Sequence, residues 1–280
     1  MTLPVQAPDA LPAPVIDSHC HLDITTEYSG LTPGEALAAA ASVGVTGVVQ
    51  VGVDVPSSRV SIGLAEQFDN VVAAVAVHPN EAPRRASDLD DDLAELTELA
   101  RHPRVVAIGE TGLDHYRTEP AGRAEQERSF REHIRLARRA GKTLVIHDRD
   151  AHDDVLRVLG DEDVPERVVF HCFSGDAQMA RLCSDAGWFL SFPGVLTFKN
   201  AQELRAAAAV VPPEQLLVET DAPFLTPAPR RGKPNASYLL PWTVRQLAEV
   251  TGFELAPLCE LLRTNTLAAF GIRPDLGFTG

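Results

Sequence analysis

Short apolar runs rich in Val, Ile and Leu alternate with amphipathic stretches along most of the chain. Eight of these runs have the length of strands, and most are nearly continuous apolar segments, as expected of parallel strands buried on both faces. The predicted strands are Val15–His21, Val45–Val53, Val71–Pro79, Arg104–Asp114, Thr143–Arg149, Arg167–Phe173, Trp188–Gly194 and Leu216–Pro223. The pattern therefore predicts a parallel sheet rather than a set of half-exposed hairpins.

Helical periodicity fills the segments between the predicted strands. Leucines recur at helical spacing over 89–99, after Ser87, which we predict as the N-cap because Asp90 follows three residues later. Another amphipathic helix contains Phe130 and ends at Gly141, a residue typical of helix C-termini. Each predicted strand is thus followed by a helical segment.

Eight strand–helix alternations in 280 residues favour an α/β fold of the (β/α)8 TIM-barrel class, which typically has about 250 residues. A final helical pair, Tyr238–Thr251 and Leu255–Phe270, would close the barrel. The alternative is an open, doubly wound sheet, but neither GxGxxG nor GxxxxGK[ST] occurs in the chain. Because there is no break in composition, we expect one barrel domain over 15–273, preceded by a Pro-rich arm over 1–14 and followed by a tail over 274–280.

Composition narrows the possible partners. The chain has 25 Lys and Arg against 39 Asp and Glu, a formal net charge of −14, and 45% of its residues are hydrophobic. This balance is typical of a folded globular protein and excludes intrinsic disorder. The acidic charge argues against coating nucleic acid or anionic membranes by charge alone. Any phosphate-containing substrate would therefore need a local cationic site.

The N-terminal segment and the cysteines predict a cellular location. The segment 1–14 has no Lys or Arg and no apolar run of signal-peptide length, and no stretch approaches the roughly 20 apolar residues of a membrane helix. The four cysteines, Cys20, Cys172, Cys183 and Cys259, form no CxxC pair. We expect a cytoplasmic protein that binds no membrane and needs no obligate protein partner.

Polar residues stand where five of the eight predicted strands end. In a barrel, the carboxyl ends of the strands meet at one mouth, and two residues in i and i+2 positions of a strand point to the same side. The candidate metal ligands are His19, His21, Glu110, His147, His171 and Asp221. Four imidazoles and two carboxylates at one mouth suit one or two divalent cations.

Each of these residues also has a structural interpretation. A lone buried histidine is more often a hydrogen-bonded core residue, Glu110 could cap backbone amides, and Asp221 could open the turn before Pro223. The combination favours metal, because six such groups buried together without a cation would carry a heavy desolvation cost.

Longer motifs surround the same residues. They are DSHCHLD at 17–23, GETGLD at 109–114, HDRDA at 147–151, HCFSG at 171–175, ETDAPFLTP at 219–227 and RGKPN at 231–235, with Asn265 and Phe270 in the closing helix. As a set and in this order, from about Val15 to Gly271, they resemble the TatD-type metal-dependent deoxyribonucleases, a branch of the amidohydrolase-like barrels. The resemblance implies a metal-dependent DNA hydrolase.

The resemblance also implies roles for the ligands. One cation would be held by His19, His21, Glu110 and Asp221, and a second by Glu110, His147 and His171, with Glu110 bridging the two. The cations would be Mg²⁺, Mn²⁺ or Zn²⁺. Glu110 and Asp221 would be the catalytic residues, with Asp221 accepting the proton of the attacking water. The implied substrate is DNA, held weakly at its ends or in single strands and cleaved in the 3′-to-5′ direction.

Further residues near the motifs are candidates for substrate contact or for orienting the ligands. The resemblance implies that His78 helps to hold the substrate phosphate. We expect Arg149, Arg231 and Lys233 to contact phosphate as well, although Arg231 and Lys233 are equally compatible with solvated loop charges. We expect Asp17, Asp114 and Glu219 to orient ligand histidines and hydroxyl groups. Tyr116 could stack on a base, whereas Phe173 is better explained by core packing. Asn80 stands where the family usually has a histidine.

Two other functions remain open. Barrel sites are reused across chemistries, so the same metal site could hydrolyse another ester or amide, such as an aminoacyl or lactone compound. An alternative of another class is a non-catalytic metal-binding scaffold. All six ligand positions are intact, which favours catalysis.

Overall fold

The computed structural model describes residues 3–273 and 276–278. Its eight strands form one parallel sheet in the order β1 to β8. The strands are β1 Val15–Cys20, β2 Val45–Val51, β3 Val71–Val75, β4 Val105–Asp114, β5 Thr143–Arg149, β6 Val168–Phe170, β7 Phe189–Phe192 and β8 Leu216–Val218. A parallel bridge between Cys20 and Ala222 brings the segment after β8 against β1. The sheet therefore closes as a (β/α)8 TIM barrel, as predicted.

Helices lie between successive strands and around the barrel. They are α1 Leu22–Ser29, α2 Pro33–Ser42, α3 Val55–Gln67, α4 Leu89–Leu99, α5 Arg123–Ala140, α6 His152–Asp161, α7 Ala177–Asp185, α8 Gln202–Ala208, α9 Leu240–Thr251 and α10 Leu255–Ala269. Short 3-10 turns occur at Pro120–Gly122, Gly194–Thr197, Pro213–Gln215 and Ser237–Leu239. Within the described ranges, no helix is long and apolar enough to cross a membrane.

Two apolar layers hold the barrel together. Along β3, Val71 and Ala73 belong to the layer that also contains helix residues such as Phe130, so this layer lies between sheet and helices. Val72 and Ala74 belong to a second layer, built mainly from strand residues, which fills the barrel interior. The alternation is the period of a strand, and it explains why both faces of each strand are apolar.

The described parts of both terminal segments pack against the barrel. In the N-terminal arm, Val5 and Leu11 are buried, and the Tyr238 hydroxyl donates to the Val5 carbonyl at 2.9 Å. Of the predicted tail, Leu276 and Phe278 are described and buried with the interior layer, whereas residues 274–275 and 279–280 lie outside the described residues. The described parts of both ends thus cover apolar surface.

The predicted strands extend too far at several carboxyl ends. β3 ends at Val75 rather than Pro79, and β8 ends at Val218 rather than Pro223. The residues beyond these ends leave the strand ladder, because their side chains and backbone turn into the mouth and contact neighbouring connections. For example, the His78 amide donates to the Val53 carbonyl at 2.8 Å.

The predicted N-cap of the helix over 89–99 is wrong. The N-cap of α4 is Asp88, which makes no side-chain capping hydrogen bond, and the Ser87 hydroxyl instead donates to the Asp88 carboxylate at 3.2 Å. Reciprocal capping boxes occur elsewhere, at Thr32 with Glu35 and at Asp54 with Ser57. Capping therefore depends on how the preceding loop approaches the helix, which spacing alone does not reveal.

Candidate metal centre

The six predicted ligands converge at the carboxyl ends of the strands. His19 lies in β1, Glu110 in β4 and His147 in β5, whereas His21 and His171 directly follow β1 and β6, and Asp221 follows β8 by three residues. These residues are buried or half-buried in the mouth of the barrel. Residues far apart in the chain therefore form one cluster, as the barrel topology predicts.

Glu110 lies at the centre of this cluster, and its two carboxylate oxygens face different neighbours. Oε1 is 3.5 Å from Nε2 of both His19 and His21. Oε2 is 2.8 Å from Nε2 of His171 and 3.0 Å from Nδ1 of His147. We call the first group, with Asp221, the β1/β8 side of Glu110, and we call the pair His147 and His171 the β5/β6 side.

Asp221 completes the β1/β8 side. Its Oδ1 atom is 3.4 Å from Nε2 of His21 and 3.8 Å from Nε2 of His19. The backbone at Asp221 has a φ of 51°, a left-handed conformation that aspartate tolerates better than most residues. Its amide donates to the His19 carbonyl at 2.9 Å, so closure of the barrel places this carboxylate.

Asp17, which precedes His19 in β1, helps to join β1 to the segment after β8. Its carboxylate accepts hydrogen bonds from the Thr220 amide, at 2.9 Å, and from the Thr220 hydroxyl. Burial raises the pKa of Asp17 to about 6, although these hydrogen bonds act in the opposite direction. Asn235 also donates to the Thr220 carbonyl at 3.0 Å. Asp17 thus joins β1 to the segment that carries Asp221.

On the β5/β6 side, each histidine faces a second carboxylate through its far nitrogen. Nε2 of His147 is 3.3 Å from Oδ2 of Asp114, and Nδ1 of His171 is 3.3 Å from Oε1 of Glu219. Glu219 also accepts the Cys172 amide at 2.7 Å. Burial would raise the pKa of Asp114, but hydrogen bonds from His147 and nearby groups lower it well below the usual range.

Charge within the cluster is strongly coupled. Burial would raise the pKa of Glu110, yet His171 and its other histidine neighbours lower it well below its ordinary value. Burial would lower the pKa of His21, but Asp221 and Glu110 raise it to about 9. Burial lowers the pKa of His19, with a contribution from the charge of His171. In the metal-free protein, the carboxylate of Glu110 and the ring of His21 are therefore both charged at neutral pH.

The donor set fits divalent cations. Neither ring nitrogen of the fully buried His19 makes a hydrogen bond with any described residue, and a buried polar group left without a partner is costly. Among the described residues, three groups of side chains have possible ligand atoms within 4.8 Å of one another. They are His19, His21 and Glu110; His78, Glu110 and His147; and His19, His171 and Glu219. Imidazole nitrogens and carboxylate oxygens are ordinary ligands of such cations.

His78 belongs to one of these groups, but the ring nitrogen that faces Glu110 carries a proton. Its Nδ1 accepts the Asn80 amide at 3.0 Å, so the ring proton is on Nε2, which is 3.6 Å from Oε2 of Glu110. Burial lowers the pKa of His78 to about 3, so the ring is neutral. A protonated Nε2 has no lone pair for a cation, and the ring instead presents an N–H to the mouth.

The side chain of Asn80 has structural contacts. Its side-chain amide donates to Oδ2 of Asp114 at 3.0 Å, and its side-chain oxygen accepts the Thr118 hydroxyl at 3.1 Å. Asp114 in turn faces His147. Asn80 therefore supports the β5/β6 side.

The cationic side chains that we predicted to contact the substrate cover aromatic rings or lie on an exposed loop. Arg149 covers the ring of Tyr116, with its guanidinium carbon 4.1 Å from the ring centroid, so these two residues pair with each other. Arg231 covers the ring of Phe198 at 4.3 Å, and Arg231 and Lys233 are exposed on the loop after β8. Phe173, in contrast, is buried among aromatic core residues.

Two buried glutamines and a buried histidine support the site, and our reasoning from the sequence did not single them out. Gln50 accepts the Leu22 amide next to His21 and donates to Asp23 at 2.9 Å. Gln126 accepts the Asp114 amide at 3.1 Å and donates to the Pro79 carbonyl at 3.0 Å. His133 accepts the Val77 amide at 3.0 Å. The available signal was a polar residue inside an apolar strand or on the apolar face of a helix.

A closed parallel barrel with imidazole and carboxylate donors at its carboxyl-end mouth defines the class of barrel hydrolases that depend on metal ions. Comparison with known proteins identifies the family. Residues 16–271 match the family model described as TatD related DNase. The chain therefore belongs to the TatD family of metal-dependent hydrolases.

Named relatives span nearly the same length. The uncharacterized metal-dependent hydrolase TatD of Mycobacterium tuberculosis (strain ATCC 25618 / H37Rv) is 46% identical over 263 residues, covering 92% of this chain and 98% of that protein. The uncharacterized metal-dependent hydrolase YcfH of Escherichia coli (strain K12) is 37% identical over 261 residues, covering 92% and 96%. The crystal structure of YJJV, a TatD homolog from Escherichia coli k12, has a TM-score of 0.84 at 28% identity and covers 92% of this chain and 98% of that one.

Proposed function

We propose that this protein is a divalent-metal-dependent deoxyribonuclease that hydrolyses phosphodiester bonds at DNA ends or in single strands, in the 3′-to-5′ direction. The observation that carries the proposal is the position of Glu110, with one carboxylate oxygen 3.5 Å from His19 and His21 and the other 2.8 Å from His171. A carboxylate shared in this way suits two adjacent cations, an arrangement that recurs in nucleases and phosphatases. Membership of a family described as TatD related DNase supports DNA as the substrate.

In this proposal, the ligands divide between two cations. His19, His21, Glu110 and Asp221 hold one, and Glu110, His147 and His171 hold the other. Bound divalent cations at this position would lower the pKa of water and neutralise negative charge on a phosphoryl oxygen. Mg²⁺, Mn²⁺ and Zn²⁺ all remain candidates, and imidazole ligands favour Zn²⁺ or Mn²⁺.

The chain's own groups then position the substrate and move the proton. Asp221 is the general base, because its carboxylate reaches the mouth and His21 and His19 help to lower its pKa against the effect of burial. The Nε2–H of His78 donates a hydrogen bond to a phosphoryl oxygen, since Nδ1 already accepts the Asn80 backbone amide. The two residues act from opposite sides of Glu110.

Charge and location complete the proposal. With a net charge of −14, the protein does not attract duplex DNA over a broad surface, so it engages a few terminal nucleotides and releases them. Arg149, Arg231 and Lys233 supply local positive charge around the mouth. All four cysteines are free, which suits the reducing cytoplasm, and no obligate protein partner is required.

The test begins with metal analysis of the purified protein, followed by removal of metal with EDTA and addition of single metals. We expect the loss of single-stranded DNA hydrolysis on EDTA treatment and its recovery with a divalent cation. A parallel panel of aminoacyl and lactone substrates tests the other hydrolase functions. Turnover in this panel without DNA hydrolysis would overturn the nuclease assignment, and activity in neither assay would favour a scaffold.

The Asp221→Asn variant tests the general base. It should lower the rate of DNA hydrolysis by about 10²–10⁴-fold, the usual contribution of a positioned base. Asp185→Asn, a matched change at an exposed helix end, should retain the wild-type rate. A fully active Asp221→Asn variant would remove Asp221 from the mechanism.

A further inference from the structure

Exposed aromatic side chains surround the mouth of the barrel. Tyr28 is 51% exposed, Tyr116 is 65% exposed and Phe224 is 42% exposed. Arg149 already covers one face of Tyr116. Tyr28 and Phe224 instead contact each other, with ring centroids 5.8 Å apart and ring planes at 72°. The latter pair leaves aromatic surface open to solvent.

This pair adjoins the proposed metal ligands. The Phe224 ring centroid is 6.2 Å from that of His21, at an interplanar angle of 67°. Tyr28 lies in the last turn of α1, the helix that begins directly after His21. A planar group stacked on Phe224, with the Tyr28 ring against its edge, would therefore lie beside the β1/β8 side of Glu110.

The backbone holds Phe224 in this exposed position. Its amide donates to the Asp221 carbonyl at 2.8 Å, and the fully buried Asn235 donates to its carbonyl oxygen. Burying a phenylalanine stabilises a protein, so an anchored ring that stays 42% exposed forgoes part of that gain. Its exposure is thus a property of the fold at the site and not of a loose loop.

We propose that Phe224, with Tyr28 packed nearly perpendicular to it, is a stacking platform for the nucleobase next to the scissile phosphate, and that the substrate is therefore single-stranded at this position. The proposal rests on the proposed nuclease function and extends it to the substrate's bases. In a duplex the faces of internal bases are covered by their neighbours, whereas a single strand can place a base against an aromatic ring.

Charge favours the same occupant. The loop that follows Phe224 carries the exposed cations Arg231 and Lys233, which suit the phosphates of a strand leaving the platform. The chain as a whole has a net charge of −14, so long-range attraction to DNA is weak. Base stacking on an aromatic ring contributes to binding whatever the net charge of the protein. It therefore supplies affinity that the surface charge does not.

The test combines a ring deletion with a base deletion. The probe is a short single-stranded DNA whose terminal nucleotide carries either a base or an abasic site, and KM and kcat are measured with the metal-loaded enzyme. We expect Phe224→Leu to raise KM about tenfold for the strand with the base and to change it little for the abasic strand. Phe224→Trp should keep the wild-type KM, and Phe253→Leu, which alters another exposed phenylalanine in the turn after α9, should behave as wild type.

A binding readout accompanies the kinetics. A phosphorothioate strand with terminal 2-aminopurine resists hydrolysis, and stacking quenches its fluorescence. The wild type and Phe224→Trp should quench it, whereas Phe224→Leu should lose most of the quenching.

The outcomes separate the platform from the nuclease function. If the wild type degrades DNA but Phe224→Leu affects both strands equally, or leaves the quenching intact, the platform is overturned while the nuclease function stands. If the wild type neither degrades nor binds the strands, both proposals fail. Equal affinity for an apolar peptide and for the strand would point to a protein partner and would also overturn the platform.

Discussion

On the β1/β8 side of Glu110, the far nitrogen of His21 donates to the Val51 carbonyl at 3.0 Å, and the far nitrogen of His19 has no hydrogen-bond partner among the described residues. On the β5/β6 side, Nε2 of His147 and Nδ1 of His171 each lie 3.3 Å from a carboxylate, and of the two only the His147 nitrogen makes a hydrogen bond within the described residues. A carbonyl orients an imidazole, whereas a carboxylate also makes it more basic. The two sides thus present similar donors with different support.

The difference follows from how each side is assembled. The β1/β8 side forms where the barrel closes, and its carboxylate Asp221 is placed by a backbone hydrogen bond to His19. The β5/β6 side lies within the continuous sheet, and its supporting carboxylates Asp114 and Glu219 come from the ends of β4 and β8. We therefore expect the β5/β6 side to depend on side chains outside the ligand set, and the β1/β8 side to depend on barrel closure.

The largest effect should come from Glu110→Gln, which removes the charge that both sides share. Losing one partner of a buried charge cluster costs about 3–5 kcal/mol, and a loss of that size in binding free energy is about 10²–10⁴-fold in metal affinity. Metal content after dialysis and the rate of DNA hydrolysis should both collapse. A variant that retains metal on one side would show that the sides are independent. Glu203→Gln, on the exposed surface of α8, is the matched control.

Glu219→Gln should affect the two sides unequally. Loss of a carboxylate behind a ligand histidine weakens metal binding by about 10–100-fold. His171 is 3.3 Å from this carboxylate, and His19 has a donor atom within 4.8 Å of it. A metal titration of the variant should show one strongly weakened step and one step that is weakened less. Equal weakening of both steps would contradict the division into sides.

His78→Phe should affect catalysis without changing metal content. The ring's Nδ1 accepts the Asn80 amide, so its Nε2–H is a donor and not a ligand. Removing one hydrogen bond to a charged oxygen should lower kcat/KM for DNA about tenfold. If instead the variant loses metal, His78 belongs to the ligands of the β5/β6 side.

The smallest effect is a difference in proton release. Burial opposes protonation of all four histidines, but neighbouring carboxylates raise the pKa of three of them. The pKa of His21 rises to about 9, that of His147 rises, and that of His171 rises well above its ordinary value. The pKa of His19 is instead lowered by burial. At pH 6 the metal-free protein therefore holds these extra protons, and a cation must displace them, so metal affinity falls as pH falls. Calorimetry in buffers of different ionisation enthalpy should give about two protons released on the β5/β6 side and about one on the β1/β8 side. Equal release would contradict the comparison.

Much of the site was predictable because ionisable residues interrupt apolar strand runs. His19, Glu110 and His147 were each recognisable in this way, and the barrel topology then required their ends to meet. The hydrogen-bonding state of His78 was not predictable, because it depends on the turn that brings the Asn80 amide to Nδ1. The true N-cap of α4, Asp88 rather than Ser87, was also not predictable, because the direction in which the preceding loop enters the helix decides which residue caps it.

The pattern of apolar runs by itself determined the barrel. Eight strands that are apolar on both faces must be covered by helices on the outer face and by one another's side chains on the inner face. It also determined which residues would stand at the mouth, because strand ends are marked in the chain. Only the tertiary structure decided how Glu110 divides its oxygens between two groups, and which carboxylate or carbonyl supports each histidine. Such contacts join elements distant in sequence, and their geometry depends on the packing and closure of the whole barrel.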